Sequence, residues 1–122
     1  MQTCDLLKRF SSKAAEITAK PEQFVQVHLD VVPMLLMGGS QELCAKIEFG
    51  SIGLDTALEG GLQEFADTHG PTLATILTDH VAGLKPERVY VNLHAPAAAS
   101  VVWDGKCFLT RRQEREAAAS ST

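Results

Sequence analysis

Aromatic residues are scarce in this chain: 6% of its 122 residues, with a single Trp and a single Tyr. Basic charge is scarce too. Eleven Lys and Arg stand against fifteen Asp and Glu, a net charge of −4 with a sequence pI near 5.5. That excludes the basic field that nucleic acid or an anionic membrane surface demands. No apolar run approaches the roughly 20 residues needed to cross a bilayer. The opening Met1-Gln2-Thr3-Cys4-Asp5 carries no apolar leader. Three cysteines, Cys4, Cys44 and Cys107, are an odd and widely spaced set, which excludes a disulfide framework and an all-cysteine zinc site. What is present is ordinary globular composition, 45% apolar and 21% charged, in one domain long enough to bury roughly two thirds of its unfolded surface. The expectation is a small soluble α/β domain, cytoplasmic for want of a leader.

Along the chain the apolar positions change period. Leu6, Leu7, Phe10, Ala14 and Ile17 repeat at helical spacing from Asp5 to Thr18, with Lys8, Arg9, Ser12, Lys13 and Glu16 mostly opposite. Asp5 suits an N-cap, and Pro21 forbids the helix past Lys20. Val25, Val27, Leu29 and Val31 then alternate with Gln26, His28 and Asp30, which predicts a strand over 23–31. Pro33 interrupts it, and Gly38-Gly39-Ser40 marks a turn. Leu43, Ala45, Ile47 and Phe49 alternate with Cys44, Lys46 and Glu48, a second strand over 43–49.

The stretch 53–70, broken by Gly60-Gly61 and Gly70, reads as a loop or a frayed helical entry. Pro71 suits the first turn of a helix over 71–84, whose face is Leu73, Ile76, Leu77, His80, Val81 and Leu84. Val89, Val91 and Leu93 alternate with Tyr90, Asn92 and His94, a third strand over 88–94. Val101-Val102-Trp103, Asp104-Gly105 and Lys106-Cys107-Phe108 predict a short hairpin about the Asp-Gly pair. Beyond a domain over 1–109, residues 110–122 are charged, then small and polar, a frayed helical end or a flexible tail.

The chain also repeats itself. Lys20-Pro21-Glu22 and Lys85-Pro86-Glu87 each follow an amphipathic helix and precede an alternating run. The second half reads strand, helix, strand, a parallel crossover unit. The first half reads helix, strand, with no opening strand ahead of the helix.

In this setting the residues resemble the macrophage migration inhibitory factor and D-dopachrome tautomerase family of the tautomerase superfamily. The matching segments are Lys20-Pro21, Met37-Gly38-Gly39-Ser40, Cys44-Ala45, Ser51-Ile52-Gly53, Pro86-Glu87-Arg88-Val89-Tyr90-Val91-Asn92, Val101, Trp103-Asp104-Gly105 and Phe108. The resemblance implies an α/β sandwich of two pseudo-symmetric βαβ units: a four-stranded sheet with two helices on one face, its first strand missing here. Three such subunits would enclose a barrel of sheets as a homotrimer. It implies keto–enol tautomerisation of small aromatic α-keto acids such as phenylpyruvate and isomerisation of dopachrome-like compounds, with no cofactor and no metal. Animal members are also cytokines, secreted without a signal peptide, which implies a cell-surface receptor as a partner.

The family's base is a proline at the amino terminus. A secondary amine held in an apolar pocket near a cation is free base near neutral pH. It takes a proton α to the carbonyl and returns it to the far end of the enol. This sequence opens Met1-Gln2 and its first proline, Pro21, is internal, so no catalytic residue is identified. Two readings stay open: a tautomerase of this family, and a non-catalytic cytokine-like or scaffold binding protein on the same fold.

The resemblance assigns the substrate-binding residues. Lys20 would attract the substrate carboxylate; by itself it reads as a solvated lysine at a helix end. Ile52 would bind the same carboxylate through its backbone N–H, or simply be a buried apolar side chain. Tyr90 and Asn92 share one strand face and would reach into a neighbouring subunit's pocket, or form an ordinary polar interface. Val101, Trp103 and Phe108 would grip the aromatic ring, or pack as hairpin core. Phe24 stands where many members carry a pocket tyrosine. Cys44 lacks the second cysteine of a CxxC, since Ile47 occupies that position. The four histidines show no ligand spacing, and His80 reads as a packing histidine. Arg111, Arg112 and Arg115, near Glu114 and Glu116, read as a mixed-charge solvated stretch.

Overall fold

The computed structural model describes residues 3–120; Met1 and Gln2, the opening pair that carries no proline, and Ser121 and Thr122 lie outside the described residues. Helix α1 (Thr3–Thr18) carries the predicted apolar period but begins ahead of Asp5, which lies in its first turn rather than at its N-cap. Leu6 is buried in the core and Phe10 packs beside it. The helix stops as a left-handed residue allows: Ala19 has φ 56°, and the Lys20 N–H reaches back to the Ala15 carbonyl at 3.2 Å.

The Lys-Pro-Glu repeat is structural. Each copy opens a 3-10 turn, Glu22–Phe24 after α1 and Pro86–Arg88 in the second half. Both turns close on the same kind of bond, Phe24 N–H to Pro21 at 3.1 Å and Arg88 N–H to Lys85 at 2.9 Å. Each releases an extended segment.

The second half builds the crossover unit. Strand β1 (Ala45–Gly50), helix α2 (Gly61–His80) and strand β2 (Val89–His94) follow in order. The two strands pair in parallel, Ala45 against Val89 through Gly50 against His94. Ala45, Ile47 and Val89 face the helices and join Leu6, Ile76, Leu77 and Leu84 in one apolar cluster. Lys46, Glu48, Tyr90 and Asn92 stand exposed on the other face. Both helices therefore cover one side of the sheet, as expected.

Four expectations change. Residues 61–70 are helical, and Pro71 lies inside α2 rather than at its start. Burial overrides local propensity here. Phe65 is 1% exposed, and its ring meets Phe49 at 6.2 Å and His69 at 4.6 Å. The apolar stripe thus runs through Phe65 and Leu73, and one missing backbone donor at Pro71 does not break it.

Residues 25–32 form no strand, although Val25 is extended: no ladder partner lies beside them among the described residues. A strand exists only through its neighbour's hydrogen bonds, and alternation alone cannot provide one. Among the described residues the sheet accordingly has two strands, β1 and β2, rather than the three that a four-stranded sheet without its first strand would keep. The expected strand over 43–49 starts at Ala45, because Arg88 holds the preceding loop, donating to the Met37 and Glu42 carbonyls at 2.8 Å and to Ser40 at 3.2 Å.

The hairpin is as the Asp-Gly pair predicts. Strand β3 (Val102–Trp103) and strand β4 (Lys106–Cys107) pair antiparallel, with Asp104 at φ 50° and Gly105 at φ 76°, two successive left-handed residues that suit the strands' twist. The charged stretch that follows is ordered as helix α3 (Phe108–Ser120); of the two forms expected, a frayed helical end or a flexible tail, the helix is the one observed.

Candidate functional site

The turn after β1 brings two of the sequence-singled residues together. Lys20 Nζ donates to Ser51 Oγ at 2.7 Å and also to the Ile52 carbonyl. The turn is fixed by Gly53 at φ 80°, by the Leu54 N–H bonded to the Ser51 carbonyl at 3.1 Å, and by the buried Leu54 side chain. Lys20 itself is set by the end of α1 and by Pro21. Burial holds its ammonium below the usual lysine pKa of 10.5. An ammonium has three donors; Ser51 and Ile52 take two, and the third is left for an anion. Lys20 meets the carbonyl of Ile52, and the N–H to which the resemblance assigns a ligand carboxylate lies on the same residue.

A second group gathers around Phe24, which ends the 3-10 turn beginning at Glu22. Its ring meets Trp103 edge-on at 4.9 Å and Phe108 at 5.7 Å. Phe24 follows Lys20 by four positions, so the two lie within about 14 Å along the chain. The hairpin is closed by the Phe108 N–H to the Val101 carbonyl at 2.9 Å. Val101, just ahead of β3, and Phe108, the first residue of α3, are thus joined at the base of the hairpin, and Trp103 and Phe108 present their rings to Phe24. From α3, Arg111 stacks on Trp103 with its guanidinium carbon 5.0 Å from the ring centre and donates to the Trp103 carbonyl at 2.8 Å.

Tyr90 and Asn92 lie elsewhere. They project from β2 onto the open face of the sheet, opposite Lys46 and Glu48 respectively, and Tyr90 is 60% exposed. Lys46 and Glu48 pair at 3.0 Å on that face, and the Lys46 ammonium holds the Glu48 carboxyl below its ordinary value. Within one chain the seven residues therefore fall into three groups: Lys20 with Ile52, the aromatic hairpin, and the Tyr90–Asn92 edge.

Two residues of this region were not legible as site residues. Ser51 was visible only as part of a matching segment; nothing in its own spacing marks it as the lysine's acceptor. Arg111 sits in a mixed-charge run, and only the fold of the hairpin turns it onto Trp103. His80, by contrast, packs as read, with Nδ1 2.9 Å from the Ile76 carbonyl. Among the described residues no cluster of three metal-ligating side chains occurs, and no helix is long and apolar enough to cross a membrane.

Comparison with known proteins shows the family and the fold. The family model for macrophage migration inhibitory factor (MIF) matches residues 2–109. The chain is 32% identical over 103 residues to macrophage migration inhibitory factor of Meriones unguiculatus, covering 84% of each protein. It is 31% identical over 103 residues to that of Xenopus laevis, covering 84% of each. Among solved structures it is similar to macrophage migration inhibitory factor of Toxoplasma gondii, with TM-score 0.73, 22% identity and 84% of each chain covered. The Trichinella spiralis structure gives TM-score 0.70 at 24% identity, covering 88% of this chain and 93% of that one. These two structures support the fold alone.

Proposed function

Because the chain belongs to the macrophage migration inhibitory factor family, we propose that its pocket is that of a MIF-like keto–enol tautomerase of the phenylpyruvate and dopachrome isomerase type. The carrying observation is the Lys20–Ser51–Ile52 arrangement. A partly desolvated ammonium with one donor to spare suits a small carboxylate, because the ion pair strengthens where water is thinned. The rings of Phe24, Trp103 and Phe108 suit the aromatic body of such an acid. Tyr90 and Asn92 serve a neighbouring subunit's pocket in a homotrimer, which accounts for their exposure on β2 within one chain.

The reaction moves one proton from the carbon α to the carbonyl onto the amine, then back to the far end of the enol, and needs no cofactor. Substrate binding is the part these residues supply. The base is a different matter: the nitrogen of Pro21 is an amide, and Lys20 is a primary amine already engaged. That observation favours a second reading, a non-catalytic cytokine-like binding protein with a cell-surface receptor, which uses the same pocket without turnover.

Decay of the phenylpyruvate enol, followed by absorbance with the purified 122-residue chain, separates the two. Decay above the buffer rate, slowed by K20A, supports the enzyme. Decay at the buffer rate with saturable ligand binding supports the binding protein.

A further inference from the structure

Strand β1 ends at Gly50 and the chain turns at once. Ser51 is the first residue past the strand, Gly53 takes φ 80°, and a 3-10 turn over Leu54–Thr56 follows. A serine at such a tight strand-to-helix turn is presented at its tip rather than packed in a ladder. The Ser51 N–H is tied to the His94 carbonyl at 3.2 Å, and the Ser51 carbonyl receives the Leu54 N–H at 3.1 Å. The backbone that carries this hydroxyl is therefore fixed from both sides.

Lys20 Nζ lies 2.7 Å from Ser51 Oγ and also meets the Ile52 carbonyl. These contacts serve either protonation state. As an ammonium, Lys20 donates to both oxygens. As a free amine it keeps an N–H on the Ile52 carbonyl and turns its lone pair to the Ser51 hydroxyl proton. A nucleophile, a base and a group that orients the base thus stand within hydrogen-bond reach. Burial lowers the Lys20 pKa, so the free amine forms at lower pH than that of an exposed lysine. The N–H groups of Ile52 and Gly53 form no hydrogen bond among the described residues. They are donors next in the chain to the hydroxyl, available to a developing oxyanion.

We propose that Ser51 and Lys20 are a nucleophile–base pair that hydrolyses small carboxylic esters through an acyl-serine. The Ser51 O–H bond breaks, its proton passes to Lys20 Nζ, and Oγ bonds to the ester carbonyl carbon. The carbonyl oxygen, now an anion, is met by the Ile52 and Gly53 N–H groups. As the tetrahedral species collapses, the ester C–O bond breaks and the leaving alkoxide takes the proton from Lys20. Water then attacks the acyl carbon and gives a proton to Lys20, and Ser51 Oγ leaves and recovers it. The sum is ester plus water to acid plus alcohol. This activity uses the neutral amine, whereas a carboxylate anchor uses the ammonium. It does not rest on the tautomerase reading, and it rises with pH where carboxylate binding fades.

The probe is p-nitrophenyl acetate with the purified chain, p-nitrophenolate release being followed by absorbance and the acetylated residue located by peptide mass spectrometry. An acetyl group on Ser51 is expected, with release above the buffer rate that climbs through the alkaline range. Release should fall at least about 100-fold in S51A and in K20R, which stays protonated. Acetyl groups only on Lys20 or the cysteines, a rate flat with pH, or release unmoved by S51A or K20R overturns the proposal. A fluorophosphonate gives a second test on the unmutated chain, since it forms a stable Oγ–P bond as fluoride leaves. A labelled Ser51 supports the pair, and an unlabelled Ser51 overturns it.

Discussion

Lys20 and Ser51 meet at 2.7 Å across 31 residues of sequence, joining the end of the first helix to the turn after the first strand. Because burial lowers the Lys20 pKa, the folded chain releases that proton at a lower pH than the unfolded chain does. As pH climbs from the lowered value toward 10.5, this group adds to folding stability, while carboxylate binding fades with the ammonium's charge. K20R stays charged throughout that window and keeps its binding at alkaline pH. Binding isotherms across the alkaline range check this; identical profiles for Lys20 and K20R contradict it.

Arg88 is the second cross-chain tie, donating to four carbonyls of the loop ahead of β1. R88A should cost about 1.5–3 kcal/mol, the scale of a charged hydrogen bond. R88K should recover little of it, because a point ammonium cannot span the same carbonyls. Urea midpoints of the three chains measure the difference.

Much of this was written in the sequence, and the exceptions have physical causes. The Leu6–Phe10 stripe, the alternation through Ile47 and Val91, and the Asp104-Gly105 turn are local signals, and each element formed where its signal lay. Pro71 misled because a local helix breaker was weighed without the burial of Phe65 six residues earlier. Residues 25–31 misled in the opposite sense: their alternation is that of a strand, but pairing is decided by a neighbour elsewhere in the chain. Lys20 and Ile52 became a site only through resemblance. Arg111 could not be found at all until the hairpin turned Trp103 beneath it.

Phe65 and Pro71 carry opposite expectations within one helix. F65A should destabilise by about 3–5 kcal/mol, since a fully buried ring leaves a cavity against Phe49 and His69. P71A should stabilise by up to about 3 kcal/mol, restoring the backbone donor that reaches residue 67 in a regular helix. Thermal melts of both variants decide the signs.

The segment over 31–36 leaves Val31 83% and Met34 72% exposed, with Leu36 at 58%, a run of apolar surface that a lone subunit would hold in water. The proposed homotrimer predicts a light-scattering mass of about 40 kDa, three times 13.2 kDa. V31K should shift the mass toward the single chain; a wild-type mass of one chain contradicts the assembly.

The ammonium of Lys20 as a carboxylate anchor is tested most directly by equilibrium titration of phenylpyruvate into the purified chain and into K20M. Saturable binding that weakens at least about tenfold in K20M is expected. Equal binding by the two chains, or none by either, contradicts the account.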